Sequence, residues 1–110
     1  HHFLDLDTPP TAIFAANDTM AFGAIEAAMS RDIGIPEQLS IIGFDDVAQA
    51  MYSYPKLTTI RQPLDQMGRT ATRLLLSLIE NPKQKSQQIT LGTQLLKRDT
   101  CAPPLSNQTL

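Results

Sequence analysis

Two short apolar runs constrain this chain most: residues 11–16 (Thr-Ala-Ile-Phe-Ala-Ala) and residues 41–44 (Ile-Ile-Gly-Phe). The first stops on Asn17-Asp18 and the second on Asp45-Asp46. Continuous apolar runs of this length predict strands buried on both faces, because a solvated face would bring in alternating polar residues. Such strands belong to parallel sheets, which place ligands outside the carboxyl ends of the strands. Both polar pairs stand at that end.

The segment between the runs reads as a helix. Asp18 or Thr19 can cap it, and Ala21, Ala24, Ile25, Ala28 and Met29 line one face of a body reaching about Arg31. Gly34 supplies a stop and Pro36 lies beyond the end. A strand over residues 40–44 follows, which completes a β-α-β unit. If the two strands are neighbours, their ends lie on the order of 5 Å apart, and Asn17 and Asp45 face one small volume.

Further along, Met51, Tyr52 and Tyr54 precede Pro55 and admit two readings, lids on the core or an interface between subunits. Residues 57–60 (Leu-Thr-Thr-Ile) predict another strand, followed by Arg61-Gln62. Pro63 suits the first position of a long helix, with Asp65 complementing the dipole of its first turn. Leu64, Met67, Ala71, Leu74, Leu75 and Leu78 form a stripe expected to pack in a core, too short for a membrane span or a zipper. Asn81-Pro82 ends the helix. Residues 88–91 alternate and predict a strand, Gly92 interrupts it, and residues 94–98 continue it or pair with it. Residues 1–9 are expected to be a leader, with His1-His2 native or left from a tag, and residues 105–110 a loose tail.

With 110 residues the chain suffices for one domain or part of one. The net charge of −2 and the scattered basic residues, of which Lys97-Arg98 is the densest group, argue against a nucleic-acid surface in this segment. No apolar run approaches a membrane span and nothing resembles a secretory signal. The single cysteine, Cys101, fits a reducing compartment and hence a cytoplasmic location.

Chemically, Asp45-Asp46 invites a metal-dependent hydrolase in which Asp18 joins them. Consecutive residues leaving a strand point apart, however, and the only histidines are His1 and His2, so no Ser-His-Asp set is possible. Gly34 and Gly43 do not make a phosphate-cradling loop. Binding asks less. An ionised Asp accepts from a vicinal pair of hydroxyls, and an Asn both donates and accepts, which suits sugars and nucleosides. One of Asp45 and Asp46 is expected to serve the turn through its own backbone.

In order and separation, residues 10–18, 40–46, 57–63 and 97–104 resemble the LacI/GalR family of bacterial transcriptional repressors. The resemblance covers residues 10–104 and implies the C-terminal part of an effector-binding domain of the periplasmic-binding-protein type: an α/β, parallel-sheet type I fold of which this chain is an incomplete piece. It implies a non-enzymatic sensor of a sugar or related polyol, without metal or cofactor, with ligand in the cleft between subdomains. Asn17 and Asp45 fall on the effector-contacting positions, with Asp18 and Asp46 as supporting or capping residues. Phe22, Tyr52, Ser53 and Tyr54 fall on dimer contacts, and Arg61-Gln62 and the segment after Pro82 on the crossings between subdomains. The operator-reading helix-turn-helix of that family lies upstream and is absent from these residues. A periplasmic sugar carrier of the same fold is the alternative.

Overall fold

The computed structural model describes residues 2–105. The tail expected at residues 105–110 therefore lies, Leu105 apart, outside the described residues. Strand β1 (Ala12–Phe14) leads into helix α1 (Asp18–Met29) and strand β2 (Ser40–Ile42). β1 and β2 pair in parallel, with Ala12 opposite Ser40 and Phe14 opposite Ile42. Helix α2 (Gln49–Tyr52) precedes strand β3 (Thr59–Arg61), helix α3 (Leu64–Glu80) and strand β4 (Gln94–Leu96), which pairs with β3. Parallel bridges Ile42 to Thr58 and Asp45 to Arg61 carry the ladder from β2 to β3. The predicted β-α-β unit is present, with each strand shorter than the apolar run that announced it.

Two compact units divide the chain, residues 1–61 with 95–110 and residues 62–94. In the first unit Ala21, Ile25 and Ala28 of α1 pack with Leu39, Ile41, Ala50 and Leu57. The small side chains let α1 approach the sheet closely, as its alanine-rich face predicts. Residues 98–102 wedge into the sheet near the start of β2 and β3. Ile41 N donates to Thr100 O at 2.8 Å and Asp99 N to Lys56 O at 2.9 Å. The buried Thr100 hydroxyl donates to Ile41 O at 2.6 Å and accepts from Thr58 N at 2.9 Å. The Cys101 thiol donates to the same Ile41 carbonyl at 3.3 Å.

Several local expectations need correction. Helix α1 is capped by Asn17, not by Asp18 or Thr19. It ends at Met29 with Ser30 as its C-cap, and the left-handed residue beyond it is Asp32 (φ 56°), so Gly34 is not the stop. Gly34 instead donates its N–H to Gln38 Oε1 at 2.7 Å in the following turn. Pro63 is the N-cap of α3, and Leu64 is its first residue. Residues 88–91 form no strand; four residues are too few to hold one where no partner edge supplies hydrogen bonds. Residues 2–5 of the expected leader form a 3₁₀ turn, whose Asp5 pairs with Arg31 at 2.8 Å and whose Leu4 packs on the core.

The second unit is built on α3. Its stripe follows helical spacing, yet α3 has no buried residue. The expectation that the stripe packs in a core is not met within this chain.

Candidate ligand-binding rim at the strand ends

Past the last paired residues of β1, β2 and β3, the backbone stays hydrogen-bonded up to the carboxyl rim. Ala15 N donates to Ile42 O at 2.8 Å and Asp18 N to Phe44 O at 2.9 Å. On the other side Gly43 N donates to Thr58 O at 3.0 Å and Asp45 N to Ile60 O at 2.9 Å. These bonds set Asn17-Asp18, Phe44-Asp45 and Ile60-Arg61 side by side.

Asn17 has extended backbone (φ −154°, ψ 170°), and its Oδ1 accepts from Met20 N at 2.8 Å. That bond satisfies one of the orphan N–H groups of the first helical turn. It also divides the side chain's chemistry. With one lone pair of the oxygen committed to the cap, the amide nitrogen is the group best placed to serve a ligand, as a donor.

Asp18, expected as a supporting or capping residue, is fully buried and clamps three segments. Its Oδ2 accepts from Val47 N at 2.8 Å and its Oδ1 from the Thr59 hydroxyl at 2.5 Å. Gly43 is explained by this clamp. A Cβ there would collide with Asp18 Oδ1 and lie 3.0 Å from Leu57 Cδ2 and 3.3 Å from Asp18 Cα. The glycine in the Ile-Ile-Gly-Phe run is thus a close-packing residue.

Asp45 and Asp46 both have positive φ, 117° and 59°. Left-handed backbone in non-glycine residues costs about 1–3 kcal/mol each and gathers at functional sites. The Asp46 carboxylate does not merely serve its own turn. It accepts from Arg61 Nε at 2.7 Å and from Arg98 Nη2 at 2.7 Å, with its side chain only 10% exposed. Burial pushes its pKa up, but the hydrogen bonds and charges of Arg98 and Arg61 outweigh that and hold it below the ordinary Asp value. Arg98 is itself fixed by Nη1 donating to Leu57 O at 2.9 Å, and its backbone N–H donates to Thr58 Oγ1 at 3.0 Å.

The sequence placed Thr59 in a strand, and Arg98 and Thr100 in the segment that carries the resemblance, but assigned none of the three a role at the rim. Pairing partners more than 35 residues away leave no periodicity to read. For Arg98 the signal was its place in the 97–104 segment that carries the resemblance.

Asp18 and Asp46, two of the three carboxylates that invited a hydrolase, are both engaged by protein donors. Among the described residues no group of three His, Cys, Asp or Glu side chains is placed to hold a metal ion. Arg61 and Gln62, expected at a subdomain crossing, flank the first division between the compact units, and the chain returns between Gln94 and Leu95. Of the expected interface residues, Tyr52 and Tyr54 are 80% and 92% exposed, which rules out the reading as lids on the core. Phe22 is half-buried against the core. The Ser53 hydroxyl bonds within its own turn, donating to Pro55 O at 2.9 Å.

A parallel β-α-β unit with an amide and carboxylates gathered on its carboxyl rim has the layout of α/β domains that take small ligands outside the strand ends. The chain belongs to the periplasmic-binding-protein-like family: the model of the periplasmic binding protein-like domain matches residues 2–101. Among curated proteins it is 38% identical over 97 residues to the probable HTH-type transcriptional repressor ExuR of Bacillus subtilis, covering 88% of this chain and 29% of that protein. It is 43% identical over 93 residues to the HTH-type transcriptional repressor PurR of Salmonella paratyphi B, covering 84% of this chain and 27% of that protein. The chain thus spans less than a third of the length of these two relatives. Among solved structures, a LacI family transcriptional regulator from Enterococcus faecalis with bound ribose superposes with a TM-score of 0.82 at 41% identity, covering 93% of this chain and 38% of that one. These matches uphold the resemblance to LacI/GalR repressors and the type I fold drawn from it.

Proposed function

We propose that this chain is the effector-sensing part of a LacI/GalR-type transcriptional regulator. It takes a sugar or related polyol at the rim, where Asp45 accepts from hydroxyls and the Asn17 amide donates. The observation that carries this reading is the Asp18 N to Phe44 O hydrogen bond, which sets the Asn17 and Asp45 turns beside each other. The ribose-bound relative supports the ligand class. In the longer protein the effector biases a dimer between operator-bound and released states, by binding one state more tightly than the other. Operator contact belongs to a helix-turn-helix upstream, and the exposed Tyr52 and Tyr54, with Phe22, supply the dimer surface. The role is one of binding without turnover, in the cytoplasm.

Isothermal titration of the chain with ribose tests the proposal. Because the chain carries one wall of the cleft, the expected result is weak binding that saturates only at high ribose concentration and is weakened at least tenfold further by Asp45→Ala, as for loss of a charged acceptor worth about 1.5–3 kcal/mol. Binding that is indifferent to Asp45→Ala overturns it.

A further inference from the structure

The proposed function gives Asp45 the ligand and leaves unexplained why its neighbour Asp46 is held by two arginines. Asp46 sits between two guanidiniums, from Arg61 at the end of β3 and Arg98 just after β4. Arg61 is the residue on which the chain leaves the first compact unit, and Arg98 follows its return at Leu95. Asp46 therefore cross-links the outgoing and returning segments at one point. That point is one peptide bond from Asp45, and both residues have left-handed backbone, which an aspartate adopts against its own preference.

We infer that Asp46 is a positioning residue for the rim: its carboxylate, clamped by Arg61 and Arg98, holds the 45–46 backbone in the left-handed conformation and so fixes the direction of the Asp45 side chain. Three observations fit together here. Asp45 N donates to Ile60 O, which pins the entry to the turn. Asp46 anchors the exit through two ion pairs to two different segments. Arg98 cannot follow a moving Asp46, because its other nitrogens are tied to Leu57 O and Thr58 Oγ1. A turn pinned on both sides keeps a conformation that its residues alone would abandon. The same clamp makes Asp45 sensitive to any displacement of Arg61 or Arg98. The inference rests on the proposed role of Asp45 only for its consequence in binding, not for the backbone effect.

The test reads the backbone directly. In isotopically labelled full chain, the three-bond HN–Hα coupling of Asp45 is small, as φ near 117° requires. Asp46→Ala is expected to raise it toward the extended value, and Arg61→Ala to raise it partway, while the amide shifts of Ala21 and Ile25 stay in place. An unchanged Asp45 coupling in Asp46→Ala overturns the inference, since a merely structural Asp46 would lower stability without moving that signal. Should Asp46→Ala fail to fold, Asp46→Asn, which keeps the shape and removes the charge, is read in the same way. In ribose titrations Asp46→Ala is expected to weaken binding about tenfold. It should add nothing to the loss in an Asp45→Ala background, because Asp46 acts through Asp45. Additive losses overturn the inference. Ribose binding indifferent to Asp45→Ala defeats the effector reading alone, and the coupling still decides the role of Asp46.

Discussion

Gly43 shows how one residue joins fold to site. The absent side chain lets the buried Asp18 carboxylate reach both Val47 N and Thr59 Oγ1, and those bonds hold the start of α1 against the segment after β2 and the first residue of β3. Gly43→Ala is expected to destabilise the chain by about 1–3 kcal/mol, the usual cost of forcing volume into a packed site. Gly23→Ala in α1, where an added Cβ meets nothing within 4 Å, is expected to gain up to about 1 kcal/mol from helix propensity. Urea unfolding of the two variants checks the contrast, and equal effects would show that the Asp18 contact is not the cause. At Asp46 the sign of the pH dependence follows from its lowered pKa. Its stabilising contribution is fully present above the ordinary value of 3.8 and is lost as pH falls through the lower folded value. Arg61 and Arg98 face it from β3 and from the segment after β4. Wild-type protein should therefore lose on the order of 1 kcal/mol more than Asp46→Asn between about pH 6 and about pH 3, the figure kept small because Arg61 is half exposed and screened. Parallel acid titrations of unfolding free energy measure that difference.

Among the elements, α1 carries two duties at one residue. Asn17 caps the helix with its oxygen and keeps its amide nitrogen for the rim. Asn17→Ala removes both, costing about 0.5–2 kcal/mol of stability. Asn17→Asp retains a capping oxygen and adds a favourable charge at the helix N-terminus, but deletes the donor. It is expected to unfold at the wild-type urea midpoint or above while losing ribose binding. A variant that binds ribose as wild type does removes Asn17 from the proposed site. The division also shows what was legible in the sequence. Two apolar runs ending in polar pairs and an alanine-rich spacer sufficed for β1, α1, β2 and the shared rim, because burial on both faces and helical spacing are local patterns. The cap was expected at Asp18 or Thr19 and falls on Asn17, a residue type equally able to cap, while Thr59 and Val47 engage the Asp18 carboxylate inside. The contacts of Arg98 and Thr100 were illegible because their partners, Leu57 and Ile41, lie 41 and 59 residues earlier. At residues 88–91 alternation was read as a strand, and four residues of pattern without a pairing edge did not make one.

For the whole chain, the leucine stripe decides how it behaves in water. Leu64, Leu75, Leu76 and Ile79 of α3 are all more than half exposed, and no residue of that helix is buried. Sequence periodicity picked out a stripe that no contact in this chain covers, and Leu76 and Ile79 beside it are exposed as well; periodicity says only that a face wants cover and not what covers it. An apolar surface of several hundred Å² is at the upper end of what a monomer leaves in water. The chain is therefore expected to self-associate, to exchange elements between copies, or to repack α3 on its own sheet. Light scattering across a concentration series should show an average mass rising above that of the 12.1 kDa chain. Paired Leu75→Lys and Leu78→Lys substitutions on the stripe should return it toward the monomer. Because neither leucine is buried, the same substitutions should change unfolding free energy by no more than about 0.5 kcal/mol per site. A wild-type chain that stays monomeric at every concentration, with α3 helical and its amides protected no more than those of an isolated helix, would show that the helix leaves its stripe uncovered. Slow exchange in a monomer would instead mark repacking, and the lysine pair would then destabilise it measurably.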